Sequence, residues 1–244
     1  MILARRWLLA SLAVTALLAP AWLVAQDKTG DKPNDALVPV PREGGWKTRH
    51  DSFNERVKQG NIDLLFIGDS ITQGWENAGK NVWKEFYEKR NAVNLGIGGD
   101  RTQHVLWRLD NGNIEGIKPK LAVLMIGTNN SGTNSSEQIA AGVTAIVEKL
   151  RTKLPETKVL ILGIFPRGEN KDHKQRQVNT GANEIIKKSA DDKMVFYQDI
   201  GPAFLMEDGT LSREVMPDLL HLNEKSYRIW AESIEPSVKK LMGE

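Results

Sequence analysis

The chain has 244 residues, 40% hydrophobic and 26% charged, with 33 Lys and Arg against 31 Asp and Glu, a formal charge of +2 and no cysteine. Such a length and composition suit one α/β domain whose core needs no covalent staple. The lack of cysteine excludes disulfides, iron-sulfur clusters, thiolate zinc sites, cysteine nucleophiles and lipidated cysteines, and the near-balanced charge argues against a nucleic-acid partner.

At the start of the chain, Arg5 and Arg6 precede an apolar run over residues 7–25 that is broken only by Ser11, Thr15 and Pro20. Together with the small residues of Ala19-Pro20-Ala21 and Leu23-Val24-Ala25, this reads as a bacterial-type export signal over residues 1–25, with a periplasmic or secreted product. The run is also long enough for an N-terminal signal anchor, the competing reading. Pro20 interrupts a helix late in the run and favours cleavage, so no stable membrane anchor is expected. Arg5 and Arg6 are the only charges in that segment, which leaves the remainder neutral overall. Residues 26–42 are polar, carry Pro33, Pro39 and Pro41, show no periodicity and read as a flexible leader to a domain over residues 43–244.

From there, apolar runs of strand length recur at residues 62–67, 92–95, 121–126, 159–165 and 194–197. None alternates with polar residues, as expected of strands buried on both faces of a parallel sheet. Helical patterns lie at residues 82–89, 102–109, 136–154, 175–190 and 224–241. In the strongest, Ile139, Val143, Ile146, Val147, Leu150 and Leu154 form one stripe, and Pro155 stops it. The alternation predicts an α/β fold, a three-layer α/β/α sandwich with a five-stranded parallel sheet, whose site lies at the carboxyl ends of the strands.

Three successive strand ends carry glycine and small polar residues: Gly68-Asp69-Ser70, Gly96-Ile97-Gly98-Gly99-Asp100 and Gly127-Thr128-Asn129-Asn130. A dinucleotide fingerprint fails because position 101 is Arg101, no phosphate-binding G-K-[ST] occurs, and a G-x-S-x-G elbow fails at Thr72. His50, His104, His173 and His221 are scattered, so no metal site is expected. Singly, Ser70 reads as a helix cap, Gly99 and Asn129 as turn residues, and Asp218 with His221 as a local hydrogen bond.

Jointly they point to hydrolytic acyl chemistry. A serine hydroxyl needs a base, and His221 suits that work near neutrality. Asp218, three residues earlier, is placed to orient the imidazole. The backbone N–H groups of Ser70 and Gly99 and the amide of Asn129 come from neighbouring strand ends and supply candidate donors to an oxyanion.

These blocks, FIGDSIT, NLGIGGD, IGTNN and PDLLHLN, resemble the four blocks of the SGNH hydrolases, the GDSL lipase and acylhydrolase family. Ile71 stands where the GDSL signature has leucine, and Asn130 where many members have aspartate. Within the family, GIGGDRTQHVLWRLDNG and ILGIFPRGE are similar to the catalytic subunits of brain-type platelet-activating factor acetylhydrolase. The resemblance implies a flavodoxin-like three-layer fold, no cofactor, and hydrolysis of short-chain esters through an acyl-enzyme. Carried over by position, it makes Ser70 the nucleophile, His221 the base, Asp218 its orienter, and Ser70, Gly99 and Asn129 the oxyanion hole. It also sets Ile71 and Leu220 beside the acyl group, implies a homodimer, and makes a small ester the partner, with acetylated carbohydrate a candidate. Arg167, close to the site blocks, is assigned to the leaving-group side of the pocket, whereas Trp46, Trp75, Trp83, Trp107 and His104 read as packing residues. Two further readings compete: a catalytically idle carbohydrate-binding or surface-interaction module, and a longer-chain lysophospholipase or thioesterase.

Overall fold

The structure is a computed structural model that describes residues 33–244; residues 1–25, read as an export signal, and residues 26–32 of the expected leader lie outside the described residues. Five parallel strands, β1 (Leu64–Gly68), β2 (Ala92–Gly96), β3 (Leu121–Met125), β4 (Lys158–Leu162) and β5 (Val195–Gln198), form one sheet in the order β2-β1-β3-β4-β5. Their side chains divide by parity, because successive residues of a strand face opposite sides. Leu65, Ile67, Leu124 and Ile161 enter one core, while Leu64, Phe66, Val123 and Leu160 enter the other.

Helices α1 (Gly45–Lys58), α4 (Thr102–Asp110), α5 (Ser136–Lys153) and α6 (Lys174–Ile186) cover the first core. The second is covered by the short α2 (Ser70–Gln73), by α3 (Lys80–Phe86), and by α7 (Glu224–Met242), which buries Tyr227, Trp230, Ile234 and Val238. The expected three-layer sandwich is therefore present. Because β1 lies between β2 and β3, the chain reverses direction across the sheet there, and in open sheets of this kind the ligand crevice lies beyond the carboxyl ends of the strands at that point.

Three local differences from the sequence reading have physical causes. The fourth strand stops at Leu162, because Gly163 and the residues after it turn away to meet α6, where the side chain of Asn183 bonds both backbone groups of Ile164. Helix α1 was not expected; it begins after Gly44 and buries Trp46, His50, Phe53 and Val57 on one face. Residues 34–42, assigned to a flexible leader, pack on the domain instead. Ala36 is fully buried, its carbonyl accepts from Thr102 Oγ1 at 2.8 Å, and Val40 N donates to Gln103 O at 3.3 Å.

Candidate active site

Ser70 opens α2 immediately beyond β1. Asp69 precedes it as the N-cap, its carboxylate accepting from Ile71 N at 2.9 Å. The turn is pressed so closely onto the sheet that side chains are excluded at two strand ends. A Cβ on Gly68 would come within 2.4 Å of Met125 O, and one on Gly96 within 2.3 Å of Gln73 N. Glycine at these positions is thus a packing requirement of the serine turn.

The loop before α7 supplies the other two groups. Leu219 adopts a left-handed backbone (φ 61°) and turns the chain sharply between Asp218 and His221. One Asp218 oxygen accepts from Leu220 N at 3.0 Å and His221 N at 2.7 Å; the other faces His221 Nδ1 at 2.6 Å. Burial alone would raise this carboxyl, but the bonds from the His221 side chain and backbone outweigh it and hold Asp218 below its ordinary value. An ionised carboxylate only accepts, so Nδ1 carries the proton and Nε2 is the free acceptor. That Nε2 lies 2.9 Å from Ser70 Oγ. Gly168 N donates to Leu219 O at 2.9 Å, tying this loop to the one after β4.

Asn129 donates one amide hydrogen to Asp100 O at 2.8 Å, which leaves the other for the crevice. Among the described residues, no protein acceptor takes the N–H of Ser70 or of Gly99, which has φ 75°. The loops after β2 and β3 are stapled together by Asn130, fully buried, whose Oδ1 accepts from Thr102 N at 3.0 Å while its Nδ2 donates to Gln103 Oε1 at 3.0 Å. An amide both accepts and donates, whereas an ionised carboxylate there would lose the second bond. The departure from aspartate at position 130 is therefore matched to its neighbours.

Residues 66–229 match the GDSL-like Lipase/Acylhydrolase family, and these blocks provide the loops just described. The chain belongs to that family. It is 38% identical to platelet-activating factor acetylhydrolase IB subunit alpha1 of Bos taurus, over 82% of this chain and 86% of the relative. A GDSL-like lipase of Bacteroides thetaiotaomicron shares the fold with TM-score 0.65 at 19% identity, covering 79% of this chain and 97% of that one. For an acetyl xylan esterase the TM-score is 0.62 at 24% identity, over 72% of this chain and 100% of that one. This GDSL acylhydrolase is accordingly an ester hydrolase.

Not every residue assigned to the pocket of the acylhydrolase lies on its surface. Leu220 is half-buried at the rim, but Ile71 is 1% exposed and belongs to the second core with Trp75 and Tyr227. Its place beside the acyl group is corrected accordingly: the helix that presents Ser70 turns the next side chain inward. Arg167 is held by Thr128, with Nη1 donating to its carbonyl at 3.1 Å and its hydroxyl at 3.3 Å, so it braces the turn that carries Asn129. Trp46 and Trp75 are buried as expected, and His104 caps α4 through Arg101 N to Nδ1 at 3.0 Å. Burial, aided by Arg42, Arg101 and Arg108, lowers His104 to about 4 and keeps it neutral.

Two carboxylates next to the site went unassigned from the sequence. Asp100 is fully buried, accepts a hydrogen bond from Trp46 Nε1 at 2.6 Å and forms an ion pair with Arg108 Nε at 2.9 Å. Asp69 is also fully buried, and its Oδ2 has no protein partner. Burial, reinforced by the charge of Asp100 and opposed by the Ile71 N–H and His221, pushes Asp69 up to about 7. The available signal was positional: each follows closely on a glycine strand end.

Proposed function

We propose that this acylhydrolase is a serine esterase for short, acetyl-sized esters, with Ser70 as nucleophile, His221 as general base and Asp218 as its orienter. The observation that carries the reading is the continuous chain Asp218 Oδ2, His221 Nδ1, His221 Nε2, Ser70 Oγ, with contacts of 2.6 and 2.9 Å. Ser70 Oγ bonds to the ester carbonyl carbon as its proton passes to Nε2. The carbonyl oxygen takes the negative charge and is met by the N–H groups of Ser70 and Gly99 and the amide of Asn129. As the C–O bond to the leaving alcohol breaks, His221 returns the proton to that oxygen, leaving acyl-Ser70. Water, deprotonated by His221, then releases the carboxylate and restores the hydroxyl.

The acetyl preference draws support from the names of the relatives, an acetylhydrolase subunit and an acetyl xylan esterase. Export over residues 1–25, carried by Arg5, Arg6 and the apolar run, favours acetylated carbohydrate over a cytosolic lipid as the substrate. Hydrolysis of p-nitrophenyl esters of increasing chain length by wild type and Ser70→Ala tests the reading. Activity greatest on acetate and lost in Ser70→Ala, with a fluorophosphonate adduct at Ser70 in wild type, is the expected outcome. Equal rates for the two proteins would refute the nucleophile, and a maximum at long chains would refute the acyl size.

A further inference from the structure

The peptide unit joining Gly98 to Gly99 carries one of the three oxyanion donors, and a pair of glycines gives that unit little conformational preference of its own. External contacts must therefore set its direction. Gly98 N donates to Gln73 Oε1 at 2.7 Å, and Gly98 O accepts from Arg42 Nη1 at 2.8 Å. The same nitrogen lies 3.4 Å from Asp100 Oδ1, and the guanidinium spans Gly99 so closely that a Cβ there would meet it at 3.2 Å. In a planar trans peptide, the C=O of one residue and the N–H of the next point in opposite directions. An arginine holding Gly98 O thus aims Gly99 N–H away from itself, and its charge polarises the peptide so that this N–H is a stronger donor.

Arg42 reaches the turn because the segment before it is seated on α4 and α5. Asn34 Nδ2 donates to Gln138 O at 3.3 Å, and Ala36 is fully buried with its carbonyl on Thr102. Gly142, in the middle of α5, makes the room: a Cβ there would lie 2.6 Å from Thr102 Oγ1 and 3.0 Å from Ala36 O. The geometry points to Arg42 as a positioning residue of the oxyanion site, delivered by a strap of residues 34–42, an inference that rests on the Ser70 esterase reading above. The strap thereby couples the amino-terminal edge of the domain to the rate of acyl transfer.

Steady-state kinetics on p-nitrophenyl acetate test it with Arg42→Ala, Arg42→Lys and Ala36→Glu, the last placing a charge where the strap is buried. Removing one oxyanion donor outright costs about 10²- to 10³-fold in kcat; loss of its positioning is expected to lower kcat about 10- to 100-fold, with KM changed less than about twofold. Arg42→Lys, able to donate to Gly98 O, recovers part of the rate. Ala36→Glu reproduces the Arg42→Ala loss, and combining the two adds nothing, because both remove one interaction. Where Arg42→Ala does not fold, the lysine variant and Ala36→Glu carry the same comparison. A kcat for Arg42→Ala or Ala36→Glu within about twofold of wild type, or a loss confined to KM, overturns the inference. Ser70→Ala separates the two levels: inert Ser70→Ala with a normal Arg42→Ala removes only the strap, whereas fully active Ser70→Ala removes the reading beneath it.

Discussion

Asp69 offers the sharpest physical test, because its environment makes a definite demand on the pH dependence of stability. The carboxyl is fully buried, spends one oxygen on Ile71 N and leaves the other without a protein partner. Its folded-state value of about 7 against an ordinary 3.8 corresponds to about 4 kcal/mol of proton linkage. The sign follows from which state holds the proton more tightly. Below pH 4 both folded and unfolded chains carry it and the contribution is fully present. As pH rises, the unfolded chain releases the proton first, and the contribution is lost by the time pH passes about 7. Asp69→Asn keeps an oxygen for Ile71 N but never ionises, so this loss is absent from the variant. Its amide brings two N–H groups, where the protonated carboxyl brings one O–H, to a site with no acceptor, a pH-independent cost of about 1 to 3 kcal/mol for the added donor. Urea unfolding followed by tryptophan fluorescence between pH 4 and pH 9 is therefore expected to show wild type the more stable in acid. The difference moves by about 4 kcal/mol toward Asp69→Asn by pH 8. Parallel curves for the two proteins across that range would show that Asp69 is ionised throughout and would refute the reasoning.

Asn129→Ala is expected to lower kcat about 10²- to 10³-fold with little change in KM, since its free amide hydrogen acts on charge that develops only during reaction. Steady-state kinetics decide this, and an unchanged kcat removes Asn129 from the site. Asp218→Asn leaves the turn but reverses the imidazole tautomer; with the Asp218 and His221 side chains 55% and 45% exposed, water can partly substitute, so the expected loss in kcat is about 10²- to 10³-fold, below the roughly 10⁴ known for a buried triad. A loss under tenfold would mean that the aspartate does not orient the base. Gly96→Ala forces a Cβ onto backbone atoms of the serine turn, so it is expected to destabilise by about 3 kcal/mol and lower Tm by roughly 6 to 12 °C. An unaltered melting curve would contradict the packing described at that strand end.

The sheet was readable because its strands, apart from the half-buried β5, are buried on both faces and contain few polar residues. Its strand order was not read from the sequence, since crossover rules fix the hand of each connection and not which strands are neighbours. That Asp218 meets His221 was legible because three residues of chain separate them, and Ser70, Gly99 and Asn129 stood out because each lies in the loop just beyond β1, β2 or β3. Helix α1 escaped notice since one of its four buried positions is His50, which weakens an apolar stripe, although Trp46, Phe53 and Val57 have helical spacing. Ile71 was misjudged for a different reason: its place beside the acyl group was carried over by resemblance, which says nothing about which way the first turn of this helix rotates the side chain after Ser70. Arg42 was out of reach altogether. Its partner Asp100 lies 58 positions away, and no local pattern marks either residue for the other.

Ser70 and His221 are separated by 151 positions, and the loop that carries His221 leads into α7. In the proposed mechanism the serine turn and both oxyanion loops leave the ribosome long before the base does, so a chain cut short of His221 would carry β1 to β5 without the group that activates its serine. In that mechanism the base is made after all the other groups, and Trp230 and its neighbours on α7 follow it to close the second core.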